Sequence, residues 1–505
     1  MADLIRETYS SAALCPQQLL QVTVKGDVIV PDRKPDADKI LQTSVRYIPE
    51  DAALERRKIR LQGQLEFTVL YLSQEDMPEL QSLVTQIPVE EEVNLDGLIE
   101  EEDRIRFQVS YQPENIRAVL LNGRKLSLSA LLEISVQVTR YQDTTAVIDV
   151  KGEENLVLKR LKQPLLRLIG DKEERLMVRE ETALRSDSPN AREILWYDAS
   201  IRRRSCRLME DRVQVKGEIA VSVLYQTDTG VQFMDYTTDF AGLIDVTGAA
   251  EDMDVTLQME ISKSMLQLAL DADGEERILQ MEMVVDCRVR VSREEERERI
   301  EDAYATDQAV RLTCPVRSVQ RQVCHTNLEE EVSADLDIPE SLPMALQVFY
   351  TSAKPKVDDI TAEEGAVQVE GVLYVTAFCL TADDRSPVIS FTQPVPFARH
   401  ASISGLRLGQ NVEVNAYLDS VSGTLKNERT LGLKGNLVLE ICAVEEKQQP
   451  VVTDLTLEAA EAEELPLMAL YYLQPGESEW EVGKRYRVMP DALERLGDGI
   501  LLVTR

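Results

Sequence analysis

The amino-acid sequence predicts a mainly β protein: three repeated antiparallel, sandwich-like domains followed by a small β-α-α-β module. Three observations carry this. The segments LQGQLEFTVLY, VQVKGEIAVSVLY and VQVEGVLYVTAF place Gly63, Gly217 and Gly371 at successive intervals of 154 residues. After each glycine, apolar and polar residues alternate, the period of a strand with one face on a core. From Leu465 onward the pattern changes, and turn and helix signals replace the long alternating runs.

The register of the repeat holds far from the glycines. Val24, Val178 and Val332 keep the same interval, as do Pro35, Pro189 and Pro343, and the apolar pairs Ile40-Leu41, Ile194-Leu195 and Val348-Phe349 follow the prolines. Such self-similarity marks one supersecondary unit used three times. Within each unit a short helix or turn is expected near PDADKIL, PNAREIL and PMALQVF. A long strand follows over Gln62 to Tyr71, Gln214 to Tyr225 and Gln368 to Phe378. Leu65, Phe67, Val69 and Tyr71 share one face of the first, and Ile219, Val221, Val223 and Tyr225 share that of the second. Asn122-Gly123 and Asp273-Gly274 carry hairpin chemistry in which positive φ is tolerated, whereas Asn427-Glu428 has lost the glycine.

Between units, Lys159 to Glu174 and Ser292 to Asp307 are charged and read as linkers, the second as a short solvated helix with opposite-charge pairs. The domain limits are therefore 1–158 for the first repeat, 159–307 for the second with its charged linkers, 308–464 for the third and 465–505 for the module. In the module, Leu467 to Leu473 reads as a strand, Pro475-Gly476 as a turn, and Glu479 to Arg487 as a helix with Trp480, Gly483 and Tyr486 on one side. Pro490 suits the start of a second helix and Gly497 its end, and Ile500 to Val503 returns as a strand.

Composition removes several function classes. A formal net charge of −33 opposes nucleic-acid binding, which needs clustered Lys and Arg. The Arg202-Arg203-Arg204 run is the exception and reads as the solvated start of a strand or turn. No stretch reaches the roughly 18 apolar residues of a membrane span, and MADLIRETYSSAALC has no secretory pattern, so the expected address is cytoplasmic. The seven cysteines include no CxxC and are read as free thiols. Cys324 and His325 are neighbours in an extended segment and point to opposite faces, which disfavours a nucleophile and base pair. The 89 carboxylates single out no acid and base, so neither an enzyme nor a cofactor or metal site is expected.

Two resemblances add to this reading. The C-terminal segment resembles a LysM module through Gly476, Trp480, Lys484, Arg485, Tyr486 and Leu493. It departs from that pattern at Glu479, where a leucine is usual, at Gly483, where alanine is usual, and at Gly497 or Asp498, where asparagine is common. VPDRKPDADKIL, LQGQLEFTVLYL and NGRKLSLSALLEISVQVT resemble the SipL-type SPOCS domain of spore-coat morphogenetic proteins. The resemblance implies a non-enzymatic adaptor on the mother-cell side of the forespore surface that binds the coat-basement ATPase. Within that reading Trp480 and Tyr486 are the candidate partner contacts, through aromatic burial of the kind that anchors interfaces, with Pro475, Gly476 and Glu479 beside them; the alternative for Trp480 is that its indole fills the core of the small module. The competing reading is an envelope protein that holds an N-acetylglucosamine-containing glycan near Pro475 to Glu479. Exposed strand edges leave self-association as a further expectation.

Overall fold

The structure, a computed structural model, describes residues 3–75, 78–100, 104–185, 187–383, 385–459, 466–497 and 499–505. The first repeat contains β1 (Asp3–Leu14), β2 (Gln18–Ile29), β3 (Ala37–Glu55), β4 (Lys58–Ser73), β5 (Leu80–Asn94), β6 (Arg104–Asn122) and β7 (Lys125–Lys151). The second runs through β8 (Leu156–Ala183), β9 (Ala191–Met209), β10 (Arg212–Thr227), β11 (Gly230–Asp245), β12 (Asp254–Leu270) and β13 (Glu276–Ala305). After β14 (Gln308–Thr313), the third comprises β15 (Val316–Asp337), β16 (Ala345–Glu363), β17 (Ala366–Thr381), β18 (Val388–Ser402), β19 (Asn411–Asn427) and β20 (Thr430–Pro450). β21 (Asp454–Ala459) pairs with β14. The module holds β22 (Met468–Tyr472), α1 (Glu479–Tyr486), β23 (Leu493–Gly497) and β24 (Ile500–Thr504).

Each repeat is a sandwich of two antiparallel sheets. In the first repeat β3-β4-β5 packs on a sheet in which β7 is central, with β6 on one side and β1 and β2 in series on the other. The orders β9-β10-β11 with β12-β13-β8, and β16-β17-β18 with β15-β20-β19, repeat the plan. The alternating residues fill the space between sheets: Leu65, Phe67, Val69 and Tyr71 are fully buried with Leu126, Leu128 and Leu132 of β7. Val24, Val178 and Val332 are buried at the equivalent place in all three cores.

Close approach, not φ, explains the repeated glycine. A Cβ on Gly217 would lie 2.7 Å from the Phe240 ring, one on Gly63 would meet the Tyr47 phenol and lie 2.6 Å from the Ile48 carbonyl, and one on Gly371 would strike the Lys356 carbonyl. Opposite each glycine the neighbouring strand is bulged, with the register shifting at Pro49/Asp51, Lys216/Glu218 and Val357/Asp359.

The hairpin landmark works through its first residue. Asn122 Oδ1 accepts the Arg124 N–H at 2.9 Å and Asn427 Oδ1 accepts that of Arg429 at 2.8 Å, so the turn survives the loss of glycine at position 428. Gly123 is not among the glycines of positive φ, contrary to the Asn-Gly expectation. The next arginine in each turn pins the loop before the following sheet. Arg124 reaches the Lys34 carbonyl, Arg277 those of Arg185 and Ser188, and Arg429 those of Pro339 and Leu342. PDADKIL, PNAREIL and PMALQVF therefore leave a pinned turn and enter β3, β9 and β16 directly, without a helix.

The charged linkers are strands. Lys159 to Glu174 lies in β8 and Ser292 to Ala305 in β13, paired from Ile278 with Ala183 to Ala305 with Leu156, with register shifts at Val291/Ser292 and Ile300/Asp302. The limit drawn at 158/159 falls inside β8, and that at 464/465 lies outside the described residues. Charge alternates here at the strand period, so Glu294, Glu296 and Glu298 are exposed while Glu295, Arg297 and Arg299 turn inward. Cross-strand pairs such as Lys162 with Glu296 at 2.7 Å and Lys159 with Glu301 at 3.0 Å replace the expected helical pairs.

The three repeats close around one pseudo-threefold axis. Leu70, Leu224 and Phe378, equivalent by the 154-residue interval, form a single core with Leu195, Trp196, Phe349, Leu80 and Val388. Cyclic joints surround it. Arg46 of β3 lies over the Tyr197 ring and bonds its hydroxyl at 2.9 Å; Arg203 of β9 donates its N–H to Asp419 of β19; Lys356 of β16 pairs with Glu114 at 3.2 Å and Glu133 at 2.8 Å. The Arg202-Arg203-Arg204 run is thus a joint and not a solvated start: Arg204 stacks 4.8 Å from the Tyr417 ring, and burial pushes its guanidinium pKa down. The ribbons of the second sheets meet further along the axis through Tyr9, Ala146, Leu165, Val319 and Val451. No helix among the described residues is long and apolar enough to cross a membrane.

Candidate docking site on the C-terminal module

The module starts with β22, whose last residue leads into a turn set by Pro475 and Gly476. Gly476 has φ +87°, and the Glu477 N–H donates to the Gln474 carbonyl at 3.0 Å. Proline at the second position and a positive-φ glycine at the third are the requirements of a type II turn. α1 follows because Ser478 is extended and its N–H donates to the Glu481 carboxylate at 2.7 Å, while Lys484 and Arg485 occupy the last turn. Arg487, left-handed at φ 53°, ends it.

The second helix expected from Pro490 to Gly497 does not form. Pro490–Ala492 make one 3-10 turn, and Leu493 then enters β23, which pairs with β24. The sheet order is β22-β24-β23 over a small core of Val482, Val488, Leu501 and Val503. Leu493 packs against that core, and extending the helix would carry it away. Asp498 lies outside the described residues.

The structure divides the five candidate residues. Trp480 is half-buried against the end of β13: its indole N–H donates to Asp302 Oδ2 at 2.8 Å, and its ring meets the Tyr304 ring edge-on at 4.9 Å. Lys484 Nζ reaches both Asp302 oxygens at 2.7 Å, and the Tyr304 hydroxyl donates to the Val488 carbonyl at 2.9 Å. Burial pushes the Asp302 carboxyl up, but the bonds from Lys484 and Trp480 outweigh it and hold the group below its ordinary value. Tyr486 turns elsewhere, packing against the module's core and meeting Tyr471 at 5.9 Å. Pro475, Gly476 and Glu479 are exposed, Glu479 lying 3.8 Å from Arg495.

Sequence reasoning missed Asp302 and Tyr304, which receive the module. The signal was Gly483. A Cβ there would lie 2.6 Å from the Tyr304 hydroxyl, so the departure from alanine marks where the body of the protein touches α1.

A match to known proteins fits this geometry. The family model described as SipL, SPOCS domain matches residues 36–121, 190–268 and 345–426. The chain is a SPOCS-domain protein. Each SPOCS match begins at the entry to β3, β9 or β16 and ends within β6, β12 or β19, so it covers four strands of each sandwich. The SPOCS family marks the protein as a sporulation-related coat protein. Neither a curated protein nor a solved structure gives a match to this SPOCS chain.

Proposed function

We propose that the protein is a non-enzymatic adaptor of spore-coat assembly that works on the mother-cell side of the forespore surface. Its C-terminal module, which resembles LysM, and its SPOCS repeats hold the ATPase of the coat basement layer. The observation that supports this is the closed pseudo-threefold body, in which three SPOCS units share one core and carry the module at the end of the ribbon β8-β13. Such a body fixes the position of a docked partner relative to three equivalent faces, as an adaptor requires.

Within this reading Trp480 acts by orientation. Its contact with Asp302 and Tyr304 sets how the module is presented, and Pro475, Gly476 and Glu479 remain on the outside for a partner. The test is a pull-down from sporulating cells with the full chain, with peptidoglycan fragments as competitor. Recovery of the ATPase without competition by glycan supports the adaptor. Retention on peptidoglycan with no protein recovered overturns it in favour of a glycan-binding envelope protein.

A further inference from the structure

β22 is the edge strand of its sheet, paired with β24 on one side and with no strand among the described residues on the other. Two main-chain bonds fix its phase: Leu473 N–H to the Gly499 carbonyl at 2.8 Å, and Arg505 N–H to the Leu467 carbonyl at 3.0 Å. Odd-numbered residues therefore turn their amides toward β24, and Met468, Leu470 and Tyr472 turn theirs to the free edge. These three residues are 65, 61 and 65% exposed, on the face opposite Ala469 and Tyr471, which pack against the module's core.

An unpaired strand with an apolar face is a template for another strand. Its chemistry favours a second copy of this chain. The protein carries −33 charges, so two copies repel one another over most of their surface, yet residues 466–473 contain no charged side chain. Met468, Leu470 and Tyr472 are all more than 60% exposed, so each copy brings a charge-free apolar row to the pairing edge. The strand is also self-complementary about its middle residue.

We propose that two copies pair antiparallel through β22 about a two-fold axis at Leu470, joining two three-stranded sheets into one of six. Leu470 then faces Leu470 of the partner subunit, and Met468 faces Tyr472 of the partner subunit. All three positions exchange main-chain hydrogen bonds across the axis. This pairing does not depend on the adaptor reading, because its test involves no other protein.

The experiment is sedimentation of the full chain at tens of micromolar, with Leu470→Glu, Leu470→Lys and their equimolar mixture, each shown to be folded by far-ultraviolet circular dichroism. Wild type should sediment as a dimer, more tightly as salt screens the net charge. Each variant should associate at least ten-fold more weakly, because like charges meet at the axis, and the mixture should recover dimer as Glu meets Lys. Should either Leu470 variant fail to fold, Met468→Lys mixed with Tyr472→Glu tests the same register. A wild-type monomer, a dimer that both variants retain, or a mixture that stays monomeric overturns the proposal.

Discussion

Trp196 and Tyr350 occupy the same place in successive repeats and make the same contact one repeat back. The Trp196 indole donates to Ser44 Oγ at 3.1 Å, and the Tyr350 hydroxyl donates to Asp198 Oδ2 at 2.6 Å. Ser44 and Asp198 are themselves separated by the interval of the repeat. Each unit therefore holds its predecessor through an equivalent polar contact beside the shared apolar core. At the position that precedes them in the series, Gln42 closes the ring through Ser390 of the third repeat.

That shared core predicts coupled unfolding. Phe378 is fully buried, with its ring 4.6 Å from Trp196 and 5.3 Å from Tyr350. Phe378→Ala should cost about 3–5 kcal/mol. Because all three repeats contribute to the core, calorimetry should show the whole body affected; loss confined to one repeat would contradict the shared core.

The repeated glycines should not be equally intolerant. At Gly371 an added Cβ strikes the Lys356 main chain, and at Gly63 it meets both Tyr47 and the Ile48 carbonyl, whereas at Gly217 it meets only side chains, Phe240 and Ile201. Gly371→Ala and Gly63→Ala should each cost about 1–3 kcal/mol and Gly217→Ala less, since a side chain can move where a carbonyl cannot. Urea midpoints in the reverse order would refute this explanation of the repeat.

What the sequence made legible follows from what period-2 patterns encode. Leu65, Phe67, Val69 and Tyr71 alternate cleanly and lie in the core as expected, and the regular interval announced three units. The axis was hidden because Leu70, Leu224 and Phe378 sit next to core residues and break the alternation, and a strand buried on both faces looks locally like an unpatterned apolar run. The run SREEERERIED in β13 reads as a helix as readily as a strand, because its opposite charges satisfy both a helix spacing of four and a strand spacing of two. On the module, the sequence offers Trp480 as a contact for a partner or as filler of the module's core; the residues it meets in the structure, Asp302 and Tyr304 of the same chain, lie far away in sequence and bear no local mark beyond Gly483.

The latch between module and body should open when Asp302 is removed. Asp302→Ala strips the acceptor from the Trp480 indole and from Lys484 and should cost about 2 kcal/mol of docking. Trp480 fluorescence should shift to the red and the chain between body and module should become easier to cleave, while the repeats unfold as before. Unchanged Trp480 emission would argue that the latch is not formed.

His325 makes the second and third repeats pH-sensitive partners. Its Nε2 lies 3.2 Å from Glu440 of the same repeat and its Nδ1 3.7 Å from Asp254 of the second. The hydrogen bond to Glu440 raises its pKa above the ordinary 6.5, burial opposes this, and the Asp254 charge adds to the rise. A raised folded-state pKa means that the contribution is complete below pH 6.5 and is lost as pH climbs through the folded value. Wild type should therefore lose thermal stability relative to His325→Gln between pH 6 and pH 8. Parallel pH profiles for the two proteins would show that the imidazolium contributes nothing.

Closure of the ring can be tested without altering the protein. A carbodiimide joins Lys to carboxylates already in contact, and Lys356 with Glu133 at 2.8 Å and Lys34 with Glu193 at 2.6 Å bridge the third repeat to the first and the first to the second. Lys58 with Glu92 at 2.9 Å, inside one sheet, serves as the internal standard. Mass spectrometry of the crosslinked monomer should find Lys356 joined to Glu133 or Glu114 alongside the standard. Finding the Lys58 link but neither Lys356 link would contradict a closed pseudo-threefold body and leave three domains strung in a row.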